Sequence, residues 1–220
     1  MVNDGKSRVK RGIFITFEGP EGAGKSTQVA LLLAHLRKKG IPAAATREPG
    51  GTDLAEKIRD VVKGHDGPEK MHPETELLLM EAARSQHVRE FILPHLEQGI
   101  SVICDRFFDS TVAYQGGARG IERSDIALLN EFAAAKLVPD VTFLLDIAPE
   151  AGFSRTRDRA ETAGKFDRFE AEEIEFHRKV RRCFLEQASA EPGRVRVIDA
   201  GRDPQAVHAD IVRIADGFFV

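Results

Sequence analysis

Ile13-Phe14-Ile15-Thr16-Phe17-Glu18, followed at once by Gly19-Pro20-Glu21-Gly22-Ala23-Gly24-Lys25-Ser26, is the stretch that decides the fold. The first six residues make a short, mostly apolar run of strand length. The next eight match G-x-x-x-x-G-K-[ST]. Beyond them Val29, Leu32, Leu33 and Leu36 recur at helical spacing until Gly40. A strand, a glycine loop and a helix in that order describe a phosphate-binding loop. The glycines let the backbone curl so that N–H groups point at phosphate oxygens, and the helix adds its positive N-terminal end. Lys25 brings a mobile cation to the β- and γ-phosphates, and Ser26 offers a hydroxyl to Mg²⁺. The expected nucleotide-binding residues are Gly19, Pro20, Glu21, Gly22, Ala23, Gly24, Lys25, Ser26 and Thr27. A glycine-rich turn that matches by chance would lack the flanking strand and helix.

Outward from this loop the pattern alternates. Pro42–Thr46 fits a strand, and Asp53 is placed to cap a helix running to Val62. His65–Lys70 is loop-like, and Pro73–Gln98 has the pattern of a long helix bent near Pro94. Ser101–Cys104 is a strand, and Ser124–Lys136 a helix with Ser124 as its N-cap. Val141–Leu145 is an apolar strand, and Glu150–Arg159 starts helical before turning highly charged. Glu170–Ser189 is a helix, Val195–Ile198 a last strand and Asp203–Gly217 a closing helix. Five short strands separated by helices predict an α/β fold: a five-stranded parallel sheet covered by helices on both faces, of the P-loop NTPase type with a lid segment. Residues 1–12 read as a flexible basic tail, and 13–220 as one domain with its lid at about 155–169.

The chain has 220 residues, with Lys+Arg 32 against Asp+Glu 35 and a net charge of −3. There is no overall basic field of the kind that holds a nucleic-acid polymer. No run of 18 apolar residues is present, so no membrane-spanning helix is expected. Cys104 and Cys183 fit neither a zinc pattern nor a disulfide framework, and the expected compartment is the cytoplasm.

A phosphate loop is shared by switches, motors and small-molecule kinases. No Asn-Lys-x-Asp guanine motif is present. Val102-Ile103-Cys104-Asp105 is an apolar strand ending in an acid, so Asp105 is a second candidate for Mg²⁺, and the following Arg106 points towards a kinase. Four clusters offer an acceptor site: Thr46-Arg47-Glu48-Pro49-Gly50-Gly51-Thr52, Ala82-Ala83-Arg84-Ser85-Gln86-His87, Asp105-Arg106-Phe107, and a polar aromatic loop, Ser110-Thr111-Val112-Ala113-Tyr114-Gln115-Gly116-Gly117. Taken singly, Arg47–Glu48 also reads as a surface ion pair, Arg84 as part of a solvated helix face and Tyr114 as a core aromatic. Together they suit a phosphate, a sugar and a planar base.

With Phe17-Glu18-Gly19 and Asp167-Arg168-Phe169-Glu170 added, the chain resembles the bacterial thymidylate kinases from about Ile13 to Ile214. The resemblance implies transfer of the γ-phosphoryl group of ATP to dTMP, with Mg²⁺, in a homodimer. It implies that Arg47 and Arg106 grip the acceptor phosphate, that Arg84 bonds the thymine edge and that Gln115 contacts the nucleotide. Tyr114 would pack on the deoxyribose and Glu21 would approach its 3′-hydroxyl, while Ser110, Thr111 and Met80 would complete the substrate pocket. Met80 stands where many members carry a phenylalanine. The phosphate loop holds no arginine, so the lid arginines would supply the charge between donor and acceptor. Arg159 comes first and Arg157 second among Arg155, Arg157 and Arg159. The expected catalytic set is therefore Lys25, Arg159, Arg157, Asp105 and Arg106.

The nearest alternative is a kinase for another nucleotide or nucleoside. Glu122-Arg123-Ser124 spells a tripeptide found in deoxyribonucleoside kinases, but it follows a glycine loop and precedes a helix. A nucleotide-binding switch without an acceptor is the alternative from another class.

Overall fold

The computed structural model describes residues 11–65, 67–155, 168–169 and 172–219. Its centre is one sheet of five parallel strands: β1 (Phe14–Glu18), β2 (Ala43–Arg47), β3 (Ser101–Asp105), β4 (Val141–Asp146) and β5 (Val195–Asp199), in the order β2-β3-β1-β4-β5. The five residues of β1 are all buried, because this strand lies between two neighbours and under helices on both faces. Edge strands β2 and β5 are partly exposed. The chain leaves β1 for β2 on one side and later returns to β4 on the other, so β1 sits where the strand order reverses. Ligands collect at the carboxyl ends of strands at such a point.

One face carries α1 (Lys25–Lys38) and the last long helix. Leu32 and Leu36 of α1 pack with Ile15, Phe17 and Phe143, and with Val207 and Ile211 from the C-terminal helix. The other face is covered in two parts. Val88, Ile92 and Leu96 press on Phe14, Val102 and Cys104. Val180 and Phe184 pack with Leu144, Val195 and Tyr114.

The remaining helices are α2 (Asp53–Gly64), α3 (Pro73–His87), α4 (Leu93–Glu97), α5 (Phe108–Thr111), α6 (Arg123–Ala133), α7 (Ile174–Ala190) and α8 (Pro204–Ala215). A further helical turn occupies 149–155.

Several boundaries differ from expectation for local reasons. Thr52, not Asp53, caps α2, since its hydroxyl accepts from the Ala55 N–H at 3.3 Å. Helix α6 begins at Arg123 after Glu122 and has no side-chain cap, so Ser124 lies inside its first turn. The expected long helix is not regular throughout. Its irregularity is the wide π-helical turn Val88–Ile92, where the Leu93 N–H bonds back to the Val88 carbonyl. Pro94, which has no N–H to donate, follows directly in the first turn of α4. Of the expected tail, Arg11 and Gly12 are described, and both are anchored: Arg11 pairs with Asp140 and Gly12 N–H bonds to Leu96 O at 2.8 Å.

Candidate active site

The phosphate loop joins β1 to α1 and is shaped by positive φ at Gly22 (72°) and Gly24 (86°). At Gly22 a side chain has no room either. A Cβ there would lie 2.2 Å from the Gly152 carbonyl oxygen, on the helical turn that leads towards the lid. Lys25 opens α1 almost fully buried, and its Nζ donates to Gly19 O at 3.0 Å and Pro20 O at 2.8 Å. Burial and the nearby Arg106 cation push its pKa down to about 8, against the pull of Glu21, Asp105 and Glu18. Ser26 Oγ donates to Asp105 Oδ2 at 2.5 Å. The register places Asp105 beside Phe17, so the last residue of β3 faces the start of the loop. Ser26 and Asp105 are hard oxygen donors suited to Mg²⁺, which keeps most of its shell for phosphate and water. Among the described residues no cluster of three His, Cys, Asp or Glu could hold a metal unaided.

Arg106, directly after β3, links the phosphate loop to the cluster around Ser110 and Tyr114. Its backbone adopts φ 72°, a conformation that costs a non-glycine residue of order 1–3 kcal/mol and persists where the surroundings enforce it. Here the Arg106 N–H bonds to Phe17 O at 2.9 Å. The guanidinium donates to Glu21 at 2.6 Å, Tyr114 at 3.0 Å, Ser110 at 3.0 Å and Gly19 O at 3.2 Å. The Tyr114 hydroxyl donates to the same Glu21 oxygen at 3.1 Å. Burial would raise Glu21, but the Arg106, Lys25 and Lys63 cations outweigh it and hold the carboxyl at about 2. Burial raises the Tyr114 phenol well above its usual value, which keeps it a neutral donor.

Behind this cluster sits Glu18, fully buried. It accepts from the backbone of Phe107 at 2.7 Å and from Ser110 Oγ at 2.6 Å. Glu18 thereby fixes Ser110, which in turn holds Arg106. Burial and the Asp109 charge raise its pKa to about 8.

The fourth cluster is not a loop. Ser110 and Thr111 lie in α5, and Tyr114, Gln115 and the glycine pair lie in a π-helical segment, Val112–Ala118. A helix was not expected because Gly116 and Gly117 are poor helix formers. At Gly117 a Cβ would lie 2.7 Å from Cys183 Cβ on α7, so packing requires the glycine.

Arg84, on α3, is also placed differently from a simple base reader. It is buried, with Nε on Glu48 at 2.8 Å, and with Nη1 on Glu81 at 2.6 Å and Asn130 at 2.7 Å. Its Nη2 makes no hydrogen bond to a described residue and is the atom left for the cleft. Glu48 further accepts at 3.0 Å from His87 Nδ1, whose Nε2 meets Thr46 Oγ1 at 2.7 Å. Arg47 is exposed, paired with Glu56 at 2.8 Å. Gln115 Nε2 donates to the buried Glu76 at 2.7 Å.

Glu21, Lys25, Ser26, Arg47, Glu48, Arg84, Asp105, Arg106, Ser110, Tyr114 and Gln115 line one cleft of about 280 Å³, which also takes in Thr27, Met80, Phe107, Thr111 and Phe169. Of the expected nucleotide-binding residues, Gly19, Pro20 and Ala23 sit behind it. Arg157 and Arg159 lie outside the described residues, whereas Arg155 donates to Ala200 O at 2.9 Å and Gly201 O. Arg123 is an exposed partner of Glu186, and no residue of its tripeptide lines the cleft. Sequence reasoning gave no role to the four buried anchors Glu18, Glu48, Glu76 and Asn130. Only Glu18 and Glu48, which lie inside the quoted motifs, carried any signal, and Glu48 pairs with Arg84 instead of with Arg47.

The family model for thymidylate kinase matches residues 17–211. The chain belongs to the thymidylate kinase family. A thymidylate kinase of Pseudomonas fluorescens (strain SBW25) is 51% identical over 191 residues, covering 87% of this chain and 89% of its own. That of Pelobacter propionicus is 47% identical over 203 residues, covering 91% and 92%. Among solved structures, the thymidylate kinase of Ehrlichia chaffeensis superposes with a TM-score of 0.75 at 36% identity, covering 94% of this chain and 99% of that one. The thymidylate kinase fold is a five-stranded parallel sheet flanked by helices, and the chain is a kinase, that is, a phosphotransferase. Nucleotide kinases of this kind generally use Mg²⁺ with ATP. Among the described residues no helix is long and apolar enough to cross a membrane.

Proposed function

We propose that this cleft transfers the γ-phosphoryl group of ATP to dTMP, giving ADP and dTDP, and that the residues above divide the work as follows. The observation that carries the reading is Arg106. One guanidinium reaches the donor loop at Gly19 and Glu21 and the acceptor side at Ser110 and Tyr114. The acceptor is already a phosphate anion, so no base is needed. The demand is alignment and neutralisation of two groups of anionic oxygens. Lys25 follows the transferring phosphoryl. Ser26 and Asp105 would hold Mg²⁺, which when bound neutralises charge on the β- and γ-oxygens. Arg106 and Arg47 orient the acceptor phosphate. Glu21, kept ionised by its cations, accepts from the sugar 3′-hydroxyl, and Tyr114 packs under the deoxyribose. Arg84 Nη2 and Gln115 address the base over Met80. Arg159, with Arg157 second, supplies the lid cation, by resemblance to the family.

A homodimer is part of this reading. Leu78 of α3 and Leu128 and Phe132 of α6 are exposed, Phe132 by 74%, on helices that pack together. Such a face suits a second copy, and Phe132→Glu should lower the mass seen in sedimentation. A cytoplasmic location accords with two free, buried thiols.

The deciding experiment is an acceptor screen with ATP and Mg²⁺ across nucleoside monophosphates, reading ADP and the diphosphate product. dTMP should be preferred. ATP consumption indifferent to the acceptor would remove the proposal.

A further inference from the structure

We propose that Glu76 is a specificity-determining positioning residue: it fixes which end of the Gln115 carboxamide faces the base. This rests on the dTMP reading above and deepens it.

Glu76 sits on α3, one turn before Met80, and is completely buried. Four hydrogen bonds from three side chains converge on its carboxylate. Gln115 Nε2 reaches Oε1 at 2.7 Å. Arg119 reaches Oε1 at 3.4 Å and Oε2 at 3.2 Å, and Arg168 reaches Oε2 at 2.5 Å. A carboxylate between two guanidiniums only accepts. It therefore takes the donor end of the Gln115 amide and cannot satisfy the carbonyl end. Gln115 is itself buried, so it cannot swing out to water. Its Oε1 makes no hydrogen bond to a described residue and is not among the sealed, unpartnered atoms. It opens on the cleft that Gln115 lines.

The consequence concerns polarity. Across the cleft, Arg84 presents Nη2, a donor, because its other nitrogens are held by Glu48, Glu81 and Asn130. The cleft thus offers a donor and an acceptor. Thymine carries the complement, an acceptor at O4 beside a donor at N3–H. Cytosine carries the reverse, a donor at N4 and a lone pair at N3. A site that has committed its polar ends rejects the wrong pattern strongly, since buried groups would face like against like. A Gln115 amide free to turn over would match either base by half. Glu76 holds it to the thymine pattern.

The test compares kcat/KM for dTMP and for dCMP in the full-length enzyme and in Glu76→Gln, with thermal melts alongside. Gln at 76 keeps the size but offers a donor as well as an acceptor, so the Gln115 amide can turn. The dTMP:dCMP ratio should fall at least about tenfold. The double variant Glu76→Gln with Gln115→Glu should restore it, because a carboxylate at 115 has no donor end to present. Glu76→Asp keeps the charge for both arginines and withdraws it from Gln115. It should lower the ratio less, and it serves if the Gln variant does not fold. A lowered melting temperature with an unchanged ratio in a folded variant would make Glu76 a structural anchor only and overturn the proposal. Failure of the wild-type enzyme to use dTMP would instead remove the acceptor assignment on which it rests.

Discussion

The two sides of the cleft are built by opposite means. On the proposed reading the donor side is drawn from one contiguous stretch, Gly19 to Thr27, of which Glu21, Gly22 and Gly24 to Thr27 line the cleft. The acceptor side is gathered from the end of β2, the middle of α3, the end of β3, α5 and the π-helical segment. Its side chains hold their positions through ion pairs between residues far apart in sequence, such as the buried pair of Arg84 with Glu48 and the half-buried pair of Arg106 with Glu21 of the phosphate loop. A loop shaped by glycine φ angles is specified locally. A pocket shaped by charge pairs depends on the sheet being assembled first. Mutations on the donor side should therefore change rate with little effect on stability, whereas those on the acceptor side should often change both.

The largest effect belongs to neither wall. If Arg159 supplies the cation between donor and acceptor, Arg159→Ala should lower kcat by about 10³–10⁵. Neither KM should move much, since the cation acts after both substrates bind. Lysine there should recover only part of the rate, lacking the planar fork. Full kcat in Arg159→Ala and Arg157→Ala would leave the charge to Arg106 and Lys25 alone.

Arg84 sharpens the contrast on the acceptor side. Removing its guanidinium leaves Glu48 and Glu81 buried without their cation, the situation that typically costs about 3–5 kcal/mol. Arg84→Ala should lower the melting temperature clearly while also blurring base choice. A variant as stable as wild type by denaturant titration would show that Glu48 and Glu81 find other partners, and that the pocket is less rigidly paired than its geometry indicates.

This pairing also explains what was legible in advance. The phosphate loop, the sheet and the clusters around Arg47, Arg84, Arg106 and Tyr114 could be read because each has a local motif or a strand end. Three features could not. The π-helical turn at Val88–Ile92 leaves no mark on hydrophobic spacing. The helical state of Ser110–Gly117 is imposed against glycine propensity by contact with α7. Glu76 and Asn130 acquire meaning only from partners 39 and 46 residues away.

On the donor side the electrostatic signature is a pH profile. Burial and Arg106 set Lys25 at about 8, below the 10.5 of a free lysine. On the proposed reading its ammonium is the working form, so kcat/KM for ATP should fall as pH rises beyond about 8, by about tenfold per unit at the limit. Stability should move the other way. Between pH 8 and 10.5 the unfolded chain holds a proton that the folded chain has lost, so Lys25's contribution to folding stability rises with pH across that window. A flat activity profile to pH 9.5 would contradict the lowered pKa of this amine or its working role. Activity and stability falling together there would point to a different titrating group.

The smallest expected effect is at Met80, and it tests whether the acceptor wall is shaped side chain by side chain. Met80 lies one turn before Arg84 on α3, and both line the cleft. Residues four apart share a helix face, so Met80 can lie against the ring whose edge Arg84 addresses. A phenylalanine there would add an aromatic pair with the base, worth about 0.5–1.5 kcal/mol. The thioether it replaces would itself make a sulfur–aromatic contact with the base of about 0.3–1.5 kcal/mol. The difference is what the substitution reads, so Met80→Phe should tighten dTMP by no more than about tenfold in Kd, with kcat unchanged. Met80 also packs at the margin of the cluster containing Tyr114, Phe169 and Phe176. If the ring turns into that cluster instead of over the base, Kd will rise while the melting temperature holds or increases. Calorimetric titration with dTMP beside a thermal melt separates the two outcomes, and weaker binding would assign Met80 to the core.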